Sequence, residues 1–223
     1  MMIARKVFKT SLVLAALLAL ANCGGSSTST PAVASFSEVQ RELNNNIAAL
    51  NSSSVLAPPT NQEVSYQGTI ILFETGDTLT QFSPLGVPGL DLNFVVGPDL
   101  DLDFAAIGEL DIVVGFPAPG GRGTITGSAD NFYEVRNPNS GVDTASSRGS
   151  IDGSINFGRN GVISGELDKV SGETASYELR SGDFGFVLAI GNNAEAIVGG
   201  AIGVSSASGR APVNAGATFL GER

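Results

Sequence analysis

A serine nucleophile needs an activating base, and this chain contains no histidine. Only Lys169 or a carboxylate remains for that task, and Ser164 lies five residues before Lys169, outside the Ser-x-x-Lys spacing. Acidic residues recur at Asp91, Asp99, Asp101, Asp103, Glu109 and Asp111. A hard cation such as Ca²⁺ takes six to eight oxygens. The Asp-x-Asp-x-Asp run at 99–103 lacks the glycine and distal glutamate of an EF-hand loop, so a solvated strand face that discourages edge pairing is the plainer reading. Tyrosine can ligate haem iron, which makes Tyr66, Tyr133 and Tyr177 candidates. Strand tyrosines more often keep the ring buried and the hydroxyl wet. The sequence therefore assigns no catalytic residue, no metal ligand and no cofactor, and it names no ligand-binding residue.

Charge narrows the partners. The chain carries 12 basic and 22 acidic residues. Three of the basic ones, Arg5, Lys6 and Lys9, lie at the extreme N-terminus, which leaves nine against 22, a net of −13, beyond it. No lysine or arginine occurs between Arg41 and Arg122. Phosphate backbones and anionic lipid headgroups both need basic contacts, so nucleic acid is not expected as a partner. A partner should be neutral, cationic, or a protein with a basic face.

Cys23 is the single cysteine, which excludes an intrachain disulfide and a cysteine zinc site. It follows a basic stretch and the apolar run 11–21, SLVLAALLALA. Eleven residues are too few to span a bilayer, so residues 1–22 read as a signal peptide. The sequence Leu20-Ala21-Asn22-Cys23 resembles the lipobox of bacterial lipoproteins, with Asn22 where that motif usually has Gly, Ala or Ser. The resemblance implies lipid attachment at Cys23, and membrane association through two or three acyl chains is stable. In lipoproteins of this type Asp after the cysteine tends to retain the protein at the inner membrane, so with Gly24 there the resemblance implies the outer membrane. Residues 23–35 form the lipidated cysteine and a flexible tether of small polar residues.

A helix is expected over 36–50. Ser35 and Glu38 have capping-box spacing, and Phe36, Val39, Leu43, Ile47 and Leu50 recur on one face. Arg41, Glu42, Asn45 and Asn46 fall on the opposite face. From residue 63 to 223 the pattern changes to short β-type runs broken by glycine and proline. These runs lie at 64–73, 90–96, 99–104, 110–116, 123–127, 131–135, 148–157, 161–167, 174–180, 183–190, 195–204 and 215–221. Such spacing signals an antiparallel sandwich or barrel, and closure would remove the exposed edges of a glycine-rich sheet. Most of these runs have five to eight residues, short of the roughly 9–11 that each strand of a membrane-spanning barrel needs, so that kind of barrel is not expected.

From about residue 120 the glycine rhythm resembles the barrel domains of transferrin-binding protein B and its relatives, the Gram-negative surface lipoproteins. The similar stretches are Gly123-Thr124-Ile125-Thr126-Gly127 through Phe132, and Ile155-Asn156-Phe157 through Gly165. Phe184-Gly185-Phe186 through Gly200 and the closing Gly216-Ala217-Thr218-Phe219 through Arg223 complete the set. Ile202 stands where that family often has Phe, and residues 76–116 have no clear counterpart. Glu195 falls in one of these stretches, where an ion pair or backbone cap is its ordinary role. The resemblance implies an eight-stranded barrel beside a smaller handle-like region; with the helix read at 36–50, the expected fold is mainly β, an antiparallel eight-stranded barrel with one N-terminal amphipathic helix.

The expected function is that of a lipid-anchored outer-membrane binding protein that captures a ligand or a nutrient-carrying protein at the cell surface. Two alternatives belong to other classes. One is an interaction lipoprotein facing the periplasm, docked through its helix stripe. The other is a lipocalin-like carrier of an apolar ligand.

Overall fold

The computed structural model describes residues 34–52, 59–79, 100–118, 123–139, 146–159, 161–180, 188–190 and 194–223. Cys23, the expected signal and the expected tether up to residue 33, Asp91, Asp99, the 90–96 run and residues 183–187 lie outside them, as do the side chains of Ile47 and Leu50. Among the described residues one helix, α1 (Phe36–Ser52), precedes nine strands: β1 (Gln62–Thr75), β2 (Leu102–Phe116), β3 (Thr124–Val135), β4 (Ser147–Phe157), β5 (Val162–Asp168), β6 (Thr174–Arg180), β7 (Leu188–Ile190), β8 (Ala196–Ala207) and β9 (Val213–Glu222). Every pairing is antiparallel. β1 pairs with both β2 and β9, and β6 pairs with β8, so eight strands close into a barrel. The short β7 adds to the β6-facing edge of β8 at Ala196–Val198, just before the stretch that β6 occupies.

Two burial patterns run through the strands. β6 alternates cleanly, with Ala175, Tyr177 and Leu179 inward; that is the period-2 pattern of a sheet with one wet face. β1 alternates only from Val64 to Gln67 and is then buried throughout from Gly68 to Thr75. The change of pattern marks where α1 lies. Ile70 and Leu72 point into the barrel interior, while Ile71 and Phe73 belong to an outer cluster with Val39 and Leu43 of the helix. Val39 and Leu43 are fully buried, each adding roughly 1.5–3 kcal/mol of apolar burial. The helix thus covers the outer face of β1, β2, β8 and β9.

Several details differ from the sequence expectation. Runs 99–104 and 110–116 fall largely within one strand, β2, because Ala105, Ala106 and Gly108 break the apolar alternation yet lie where both faces are covered. Runs 123–127 and 131–135 are also one strand, bent where the register slips between Ala129 and Phe132. Asn131 takes a left-handed φ of 49° there, which asparagine tolerates. Gly127, at φ 136°, lies against the backbone of Asp111 so closely that no side chain fits. The Ser35–Glu38 cap is half a capping box. The Ser35 N–H donates to Glu38 Oε2 at 2.7 Å, but the Ser35 hydroxyl also donates to that carboxylate instead of accepting from a backbone N–H of the helix. Asn46, expected on the polar face, is 5% exposed and turned toward the barrel. The helix runs two residues past the expected end.

Candidate functional site

The strand register builds an acidic cleft on the outside of the barrel, beside α1. One row across β1, β2 and β3 is Gln67–Asp111–Ser128, and the next is Thr69–Glu109–Asp130. Glu109 and Asp130 are therefore direct cross-strand neighbours of like charge, an unfavourable pairing. Glu42 reaches this surface from the helix. The cleft has a volume of about 370 Å³ and is lined by Glu42, Gln67, Gly68, Glu109, Leu110, Asp111, Ser128 and Asp130, with no basic side chain among them. Partial burial pushes the Glu42 carboxyl up, and the charges of Glu109 and Glu222 add to it against the opposing Arg41.

The cleft is held in place by β3. Asn131 Nδ2 donates to Glu109 Oε2 at 2.7 Å and to the Ala34 carbonyl at 2.8 Å, and the Tyr133 hydroxyl donates to the same carbonyl at 2.7 Å. Phe36 then packs edge-on against Tyr133 at 5.8 Å. One strand thus fixes both the start of the helix and the orientation of a cleft carboxylate.

A second cluster fills one end of the barrel interior. Glu74 Oε1 accepts from the Tyr177 hydroxyl at 2.8 Å and from Ser205 Oγ at 2.7 Å; Glu74 Oε2 accepts from Lys169 Nζ at 2.7 Å. The ammonium also lies 4.6 Å from the centre of the Phe104 ring, a cation–π distance. Burial alone would raise the Glu74 carboxyl. The donors from Lys169, Ser205 and Tyr177 outweigh it and hold the group below its ordinary value. Tyr177 is pushed far up by burial and by the Glu74 charge, so it stays a donor.

The sequence candidates separate in space. Glu109 and Asp111 meet in the cleft, joined by Glu42 and Asp130, which sequence reasoning missed because they come from other elements. Asp101 is not a cation ligand in waiting: its Oδ1 accepts from Asn139 Nδ2 at 2.7 Å, and its N–H donates to Asp77 Oδ2. Asp103 is exposed on the outer face. Among the described residues no three acidic side chains converge closely enough to hold a metal ion. The three tyrosines stand apart, each donating within the chain: Tyr66 to the Ala194 carbonyl at 2.9 Å, Tyr133 to Ala34 and Tyr177 to Glu74. The expectation of wet hydroxyls fails for Tyr66 and Tyr177, which are buried whole. Lys169 is engaged by Glu74, and Ser164 is not in its network. Glu195 is exposed, and its backbone carbonyl accepts the Arg223 N–H at 2.9 Å.

Compared with protein-family models, with curated proteins and with solved structures, the chain matches none.

Proposed function

We propose that this chain is a lipid-anchored envelope protein, held at the outer membrane through Cys23, whose barrel captures a ligand or a nutrient-carrying protein on its outer surface. The observation that carries the reading is the filled barrel. Twenty-seven residues from the strands and their connections, including Tyr66, Phe104, Phe132, Phe157 and Phe219, form one continuous buried cluster inside it. Recognition then falls to the outer face and the connections at the barrel ends, where rigid scaffolds commonly carry it. The same observation weighs against a lipocalin-like carrier, which needs an open apolar lumen. The helix stripe also weighs against a docking helix, since Val39 and Leu43 are fully covered by the chain's own barrel. The net charge of −13 after the signal and the acid-lined cleft favour a cationic or basic-faced partner.

Protease shaving of intact cells that express the native chain tests this reading, with permeabilised cells and a Cys23→Ala chain as controls. Digestion on intact cells, lost when Cys23 is replaced, is expected. Protection until permeabilisation would rule out surface capture and move the protein inside the envelope.

A further inference from the structure

The turn between β5 and β6, residues 169–173, lies over the end of the barrel that holds the Glu74 cluster. Three contacts tie it down. Lys169 Nζ reaches inward to Glu74 at 2.7 Å, the Val170 N–H donates to Glu134 Oε2 at 3.0 Å, and Glu173 accepts from Arg210 Nη1 at 2.9 Å. The three are unequal. Arg210 is half-exposed, whereas Glu134, which accepts the Val170 N–H and also pairs with the half-exposed Arg148 at 3.3 Å, is only 7% exposed. Exposed ion pairs contribute little. Lys169 and Glu74 are 6% and 2% exposed, so their attraction is barely screened. The turn is also internally braced: Lys169 N–H donates to the Glu173 carbonyl and Gly172 N–H to the Lys169 carbonyl, both at 2.8 Å. Gly172 supplies the left-handed φ of 84° that this closure requires. Such a turn moves as one piece.

We propose that the 169–173 turn is a lid on the barrel, latched shut by the Lys169 ammonium held between the Glu74 carboxylate and the Phe104 ring, with Tyr177 and Ser205 fixing the other oxygen of that carboxylate, and that neutralising Glu74 opens it. The inference stands on this geometry and not on the proposed function. The charged groups around the latch are few. The turn itself contributes Lys169 and Glu173, whose carboxylate lies 4.0 Å from the ammonium. β6 contributes Tyr177, β3 Glu134, β4 Arg148, and the β8–β9 turn Arg210. Of these, only Glu74 ties Lys169 into the interior. Glu173, which a substitution at Glu74 leaves in place, lies at the turn's own edge and is the other carboxylate near the ammonium.

Lys169 is the only lysine after Lys9, so amine labelling reports the lid at a single residue. The full chain and its Glu74→Gln variant are treated with a small acylating reagent at neutral pH, and Lys169 modification is timed by peptide mass spectrometry. Amide exchange is read in parallel. In Glu74→Gln, Lys169 labelling is expected to rise at least tenfold and Val170 to lose amide protection. Gly172, bonded within the turn, and Ile71 and Leu72 of β1 are expected to keep theirs. Labelling unchanged in a folded variant, or lost protection at Val170 only together with Ile71 and Leu72, overturns the lid. Should Glu74→Gln not fold, the Glu74→Leu/Lys169→Met pair carries the exchange experiment under the same criteria.

Discussion

Lys169 and Glu74 are 95 residues apart in sequence, yet the ammonium sits 2.7 Å from the carboxylate with both side chains almost withdrawn from solvent. Removing one partner leaves an uncompensated buried charge, a loss of roughly 3–5 kcal/mol. Lys169→Met is therefore expected to lower stability by about that amount in urea unfolding. Replacing both, as Glu74→Leu/Lys169→Met, removes the stranded charge and leaves only the Tyr177 and Ser205 hydroxyls to find new partners. The double variant should be more stable than Lys169→Met alone. Simple additivity of the two single losses would show that the pair is not coupled.

The same pair sets the response to acid. The folded-state carboxyl of Glu74 lies below its ordinary value, so its stabilising contribution is complete at neutral pH. It begins to fade as the pH drops below the unfolded value and is exhausted once the folded value is passed. Wild-type stability should thus fall more steeply than that of Glu74→Gln as pH is lowered from about 5, near the upper edge of the carboxylate range. Parallel acid limbs in the two proteins would remove Glu74 from the account.

How far this arrangement could be read in advance differs element by element. Val39 and Leu43 were visible as a stripe, because a buried helix face leaves a 3.6-residue period. Strands such as β6 were visible through alternation. The second half of β1 and the middle of β2 carry no such period, since covering both faces erases it, and Ala105, Ala106 and Gly108 read as a break. Glu74 gave no signal at all: it follows an apolar run like any strand-ending acid, and only barrel closure brings β6, β8 and the Lys169 turn to it. Glu109 and Asp111 stand out in the sequence only as members of an acidic stretch. The cleft needed the register that sets Asp130 opposite Glu109 and the helix that brings in Glu42.

Tyr66 governs the alkaline side. Its hydroxyl donates to the carbonyl of Ala194, itself held at φ 56°. Burial pushes its ionisation up to about 12, against a small opposing pull from Arg223. A raised value means that stability is intact below the unfolded tyrosine value, near 10, and is lost as pH climbs toward 12. Tyr66→Phe should flatten this alkaline limb, with Tyr177 retaining the remainder. At neutral pH it should cost roughly 1–3 kcal/mol, because the buried Ala194 carbonyl loses its donor. Thermal melts of both proteins between pH 7 and about 11, spanning the ordinary tyrosine range, check the two effects separately.

The acidic cleft holds carboxylates against one another, so relieving that repulsion should stabilise the fold. Asp130→Asn removes the like-charge pair with Glu109 across β2 and β3, and a gain of about 0.2–1 kcal/mol is expected. Glu42→Gln acts the same way for a different reason. Its carboxyl is pushed up by partial burial and by Glu109 and Glu222, so ionisation at neutral pH works against folding. Because the group is largely solvated, the gain should stay within a few tenths of a kcal/mol. The Asp130→Asn gain and the part of the Glu42→Gln gain that comes from Glu109 and Glu222 should shrink as salt is raised, since screening already weakens the repulsion in the unsubstituted chain. A urea series at low and high salt decides the matter. If either variant is less stable than the parent at low salt, that carboxylate is held by favourable contacts, and the cleft is not a reservoir of repulsion.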